Sequence, residues 1–78
     1  MHVVLDALKL NEKDQAHNYL KEVFSFPEYY GRNLDALYDC LSEINDLHIH
    51  LLHANEAEGY FEKIKSVLED LDAELHFI

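Results

Sequence analysis

Residues 47–53, LHIHLLH, alternate apolar and polar side chains, the period-2 pattern of a strand buried on one face. This run constrains the fold because helical patterns flank it on both sides, with a further strand-like run beyond each. VVLDALKL begins with a β-branched run that reads as a first strand, Val3 to Asp6, and AELHFI closes the chain as a third. Between the first two strands, Ala16, Tyr19, Leu20, Val23 and Phe24 recur at i, i+3, i+4, i+7 and i+8, one stripe of a helix. Asn11 or Asp14 is placed to cap that helix. Pro27 ends it, because the residue before a proline is pushed out of the helical region. Asn33 then caps a second helix, Leu34 to about Ile44, whose inward stripe is Leu34, Leu37, Leu41 and Ile44 with Ala36 and Cys40 alongside. EAEGYFEKIKSVLEDLD, residues 56–72, is a third helix with Phe61, Ile64, Val67, Leu68 and Leu71 turned inward. The order is strand, helix, helix, strand, helix, strand. Strands joined through helices pair in parallel by right-handed crossovers. The expected fold is therefore α/β, a small three-stranded parallel sheet with helices packed against it.

Seventy-eight residues make a single domain, residues 1–78, with a modest core. No apolar run approaches the roughly 20 residues of a membrane span. The start, MHVVLDALKLNEKD, lacks both a cationic leader and a small-residue cleavage site, and Cys40 has no second cysteine to pair with. These features set the expectation of a cytoplasmic protein. Sixteen acidic against six basic residues give a net charge of −10, spread along the whole length. Such a surface repels nucleic acid and anionic membranes and draws in cationic proteins.

The charge is most concentrated in purpose on the second helix. Opposite its apolar stripe lie Asp35, Tyr38, Asp39, Ser42 and Glu43. Asp35 sits in the first turn, where the helix dipole favours an acid. Asp39 has no such compensation, since Asp35 and Glu43 each lie one turn away and repel it by about 0.2–0.5 kcal/mol per pair. Glu43 falls near the negative end of the dipole. A solvated face would explain the acids alone; the tyrosines beside them suit a partner that carries Arg, Lys or His. Neighbours in a loop point apart, so one of Tyr29 and Tyr30 joins the core. Gly31 is the expected left-handed residue of that loop.

PEYYGRNLDALYDCL, residues 27–41, resembles the signature of the barstar family of bacterial ribonuclease inhibitors, and HNYLKE in the first helix also fits. The resemblance implies the three-stranded parallel fold already expected. It also implies a mechanism in which the second helix and the loop before it plug a ribonuclease active site, with carboxylates standing where RNA phosphates bind. By that resemblance Asp39 is the central carboxylate, Asp35 its neighbour and Tyr29 the loop aromatic at the rim. Asn33, Ser42 and Glu43 share the surface, and Tyr38 takes the place of a family tryptophan. Asp70 in the third helix matches a further acidic contact by phase, with Glu69 as its rival. Three residues depart from the pattern: Glu43 stands for a glycine, Ile44 for a second tryptophan, and Arg32 for an acid. The implied partner is a basic ribonuclease of the barnase type, or another cationic protein if those departures retarget the surface.

His48 and His50 project from one face of the middle strand, with His2 and His76 on its neighbours. A His-x-His pair alone does not specify a metal site, so these residues read as the sheet's more exposed face, able to make stability depend on pH. Cys40 reads as a half-buried structural thiol whose acidic neighbours oppose its ionisation. Asp35 and Asp39 could form an acid–base pair, but two glycines and no pocket-forming loop leave nowhere for a substrate. The sequence thus points to a binding protein with no catalytic residue and no cofactor.

Overall fold

The computed structural model describes residues 1–78 and runs β1 (His2–Asp6), a 3-10 turn (Ala7–Leu10), α1 (Lys13–Phe24), α2 (Leu34–Ser42), β2 (His48–Leu52), α3 (Tyr60–Asp70) and β3 (Glu74–Phe77). The three strands form one parallel sheet in the order β1-β2-β3. This is the α/β arrangement expected from the alternation of periodicities. Val3, Leu5, Ile49 and Leu51 point to the buried face, where Leu20, Leu37, Leu41, Phe61, Ile64 and Leu68 of the helices meet them in one core. Both crossovers advance the sheet in the same direction, so a single handedness puts all the helices on one face. The other face, carrying His2, Val4, His48, His50, Glu74 and His76, is left open.

Several boundaries differ from expectation, each for a local reason. Strand β1 begins at His2 because the Met1 carbonyl accepts the His48 N–H at 2.8 Å. Neither Asn11 nor Asp14 caps α1. Glu12 does, its two carboxylate oxygens accepting the N–H groups of Asp14 at 3.1 Å and Gln15 at 2.8 Å. Asn11 is engaged elsewhere: its side chain accepts the Glu58 N–H at 2.8 Å and its carbonyl the Tyr60 N–H at 2.9 Å, which seats the start of α3. That close approach requires Gly59, at φ 66°, where an added Cβ would lie 2.8 Å from the Asn11 carbonyl.

Helix α1 stops one residue before the expected proline effect. Ser25 turns left-handed at φ 56°, its N–H reaching the Glu22 carbonyl and the Phe26 N–H the Lys21 carbonyl. This double bond pattern closes the helix end with serine in the position glycine usually fills. Gly31 does not adopt a positive φ; Arg32 does, at 53°. The reason for glycine at 31 is space, since a Cβ there would meet the Asn33 amide at 3.2 Å and the Ala36 methyl at 3.4 Å. Helix α2 ends at Ser42, short of Ile44, with Glu43 as its C-cap.

Candidate functional site

The loop that leads into α2 is held from beneath. His17, 1% exposed, places Nδ1 at 2.7 Å from the Tyr30 hydroxyl and Nε2 at 2.8 Å from the Tyr60 hydroxyl. A neutral imidazole donates from one nitrogen and accepts at the other, so one tyrosine accepts and one donates. Burial holds the His17 pKa below its ordinary value, with the nearby Lys13 charge acting the same way. Burial likewise pushes both tyrosine hydroxyls up. The Tyr30 ring also packs on Phe26 at 4.8 Å, and Phe26 stacks on Phe24 at 5.5 Å. Tyr30 is thus the core member of the pair, and Tyr29 is turned out, 89% exposed.

Helix α2 starts where Asn33 accepts the Ala36 N–H at 2.8 Å. This fixes the phase of everything that follows. Leu37 and Leu41 are fully buried, and Leu34, Ala36, Cys40 and Ile44 pack partly against the core. Asp35, Tyr38, Asp39, Ser42 and Glu43 consequently share the outward face, all exposed. The Ser42 hydroxyl donates to the Asp39 backbone carbonyl at 2.8 Å, leaving the Asp39 carboxylate unengaged. Every ion pair in the molecule lies elsewhere, at Lys21–Glu28, His48–Glu74, His53–Asp6 and His76–Glu74. Three carboxylates along one helix face therefore have no cation within the chain. They also act inward, since the Cys40 thiol is pushed up by burial first and then by Glu43 and Asp39.

Not every sequence-derived residue joins this face. Asn33 spends its side-chain oxygen on the cap. Ile44, which departs from the pattern of the resembled family, packs partly against the core and is not presented outward. Asp70 is exposed at the last residue of α3. A groove of about 750 Å³ between the end of α2 and the turn after α3 is lined by Tyr38, Ser42, Asp46 and Asp72 among others, and Asp70 is not part of it. The expected third helix ran through Asp72, but α3 ends at Asp70, which puts Asp72 in the turn beside the groove. His17 was also missed, although His17, Leu20 and Phe24 share an i, i+3, i+7 spacing that placed it on the inward side.

The geometry makes a stability prediction. Asp39→Ala should leave the unfolding free energy unchanged or raise it by a few tenths of a kcal/mol, by removing two repulsions and adding the best helix former. A chemical-denaturation curve showing a loss beyond about 1 kcal/mol would contradict the unengaged carboxylate.

A sequence model of the family described as "Barstar (barnase inhibitor)" matches residues 1–76. The chain is also similar to a Bacillus subtilis (strain 168) protein named "Putative ribonuclease inhibitor YrdF", at 34% identity over 86 aligned positions. That alignment covers 97% of this chain and 94% of the relative.

Proposed function

The chain belongs to the barstar family, and we propose that it is an inhibitor of a basic ribonuclease of the barnase type, acting in the cytoplasm by occluding the enzyme's active site. The observation that carries this reading is the α2 face, where Asp35, Asp39 and Glu43 stand without a cation of their own alongside exposed Tyr38, with exposed Tyr29 in the loop that leads into the helix. A ribonuclease must hold a polyanion, so its cleft presents cations spaced for phosphates. Carboxylates at one-turn intervals on a rigid helix can satisfy those cations, while the tyrosines cover the rim and exclude water. Asp39 is the central anchor, Asp35 adds charge and register, and Asp70 or its neighbours extend the contact from α3. No bond is made or broken; RNA is excluded because its site is filled.

Glu43 favours a second reading. It is exposed at the C-cap of α2, where the family pattern has glycine, and its bulk and charge alter the shape offered to a cleft. In this reading the same face binds a different cationic protein, such as another toxin or a regulator.

Titrating the chain into a barnase-type ribonuclease and following cleavage of a fluorogenic RNA separates the two. Activity that falls to zero at one chain per enzyme supports the inhibitor; full activity in excess chain rejects this target and leaves the second reading. Charge makes a kinetic prediction as well. The net charge of −10 should speed encounter with a basic enzyme, so the association rate should drop about tenfold or more between 0.01 M and 0.15 M salt, as the screening length shrinks from about 30 to 8 Å. A rate that stays flat across that range would remove steering from the account.

A further inference from the structure

The open face of the sheet carries a second constellation, remote in chemistry from the α2 carboxylates. Parallel register sets His2 opposite His48 and His48 opposite Glu74, with Val4, His50 and His76 forming the next row on the same open face. The sequence places His2 and His76 on the strands beside the His48–His50 pair but offers no carboxylate among them. The register supplies what was lacking, the Glu74 carboxylate opposite His48, and sets His76 opposite His50. Glu74 Oε2 lies 2.7 Å from His48 Nδ1 and 3.7 Å from His76 Nε2, and the three ligand atoms all fall within 4.8 Å of one another.

We propose that His48, Glu74 and His76 form a binding site for one divalent transition-metal ion, with zinc the best chemical match. Two imidazoles and a carboxylate are the donor set that suits zinc, and softer or harder ions prefer thiolate or all-oxygen sites. Zinc bonds of about 2.0–2.2 Å require ligand atoms about 3.3–3.5 Å apart in a tetrahedron. Small rotations of these partly exposed side chains reach that spacing, opening the 2.7 Å His48–Glu74 contact and drawing His76 in. The fourth position faces water, since no further ligand reaches the triangle.

The rings are also held in place for this role. His2 stacks on His48 with centroids 4.3 Å apart and planes 10° from parallel, and His50 stacks on His76 at 4.6 Å and 13°. His2 Nδ1 and His50 Nε2 are 3.2 Å apart, joining the two supporting rings to each other. Ordered outer rings of this kind fix ligand orientation. The surrounding charge favours a cation, because Asp46 and Asp72 line the adjoining groove together with His48 and Glu74.

The test is calorimetric titration of zinc chloride into the metal-free chain at pH 7.5, with a thermal melt at each end point. Saturable binding of one zinc per chain with a rise in Tm is expected. Glu74→Gln and His76→Gln should each weaken zinc binding at least about tenfold while leaving the zinc-free melt close to wild type. His53→Gln, at the far end of the sheet and paired with Asp6, should bind zinc as the wild type does. Absence of saturable binding up to millimolar zinc overturns the proposal. So does an equal loss in the His53 variant, or half an ion per chain accompanied by dimers in sedimentation, which would place the metal between molecules.

Discussion

Asp39→Ala is expected to weaken binding to the target ribonuclease by about 3–5 kcal/mol, which is roughly a 10²- to 10⁴-fold rise in Kd. The size follows from what is left behind. In the proposed complex the enzyme's phosphate-binding cations would be cut off from water by the inhibitor, and removing the carboxylate proposed as their central partner would leave them buried and unpaired. The free chain pays no matching penalty, because the Asp39 carboxylate makes no internal ion pair. The same substitution should therefore separate stability from binding, leaving the first intact while the second collapses. Asp35→Ala should lose less binding, since the proposed mode gives it a neighbouring and not the central cation, and should cost some stability, since Asp35 sits in the first turn of α2 where the helix dipole favours an acid. Inhibition titrations of wild type and both variants, run beside denaturation curves, read this directly. An Asp39 variant that inhibits within a few-fold of wild type would move the anchor elsewhere on the face. Glu43 would then be the first residue to replace.

The sequence carried the fold well because one period-2 run, a β-branched run at the start, a short closing strand and three helical stripes left one economical way to pair strands. It carried the outward face of α2 equally well, since Asn33 fixes the helix start and 3.6-residue phasing does the rest. What it could not carry were the places where one element serves another. Asn11 looked like a cap for the helix beside it and instead receives the N–H groups of Glu58 and Tyr60 at the entry to α3. Gly31 looked like a backbone requirement and is a packing requirement. Asp72 follows the end of α3, where neither helix nor strand period applies, yet the turn brings it to the groove beside Tyr38. Glu74 becomes a neighbour of His48 only once the register of β2 and β3 is known. Local pattern fixes faces; tertiary docking decides which faces meet.

His17 shows the same limit and yields the other large expectation, a loss of stability in mild acid. Its imidazole bridges Tyr30 and Tyr60 in the core, and its pKa is lowered by burial and by the Lys13 and Arg32 charges, against a smaller opposing effect from Asp14. The unfolded chain, with a histidine of ordinary pKa near 6.5, binds the proton more readily. Stability is therefore fully present above about pH 6.5 and declines as pH falls below it, by up to about 1.4 kcal/mol per pH unit until the folded pKa is reached. His2 adds a contribution of the same sign. Asp6 does not compensate within this range: burial raises its pKa, the His53 and Leu8 hydrogen bonds more than reverse that, and the net lowering keeps it ionised well into acid. For a domain of this size each kcal/mol is about 4–8 °C in Tm, so a melt at pH 5.5 should fall clearly below one at pH 7.5. His17→Gln keeps a donor and an acceptor for the two hydroxyls but cannot titrate. Its Tm should start lower at pH 7.5 and then change less with acid than the wild type. Parallel profiles for the two proteins would show that the acid sensitivity arises on the histidine face of the sheet. A flatter profile for the variant would mean that the proton acts beneath Tyr30, at the residue bonded to the loop that carries Tyr29.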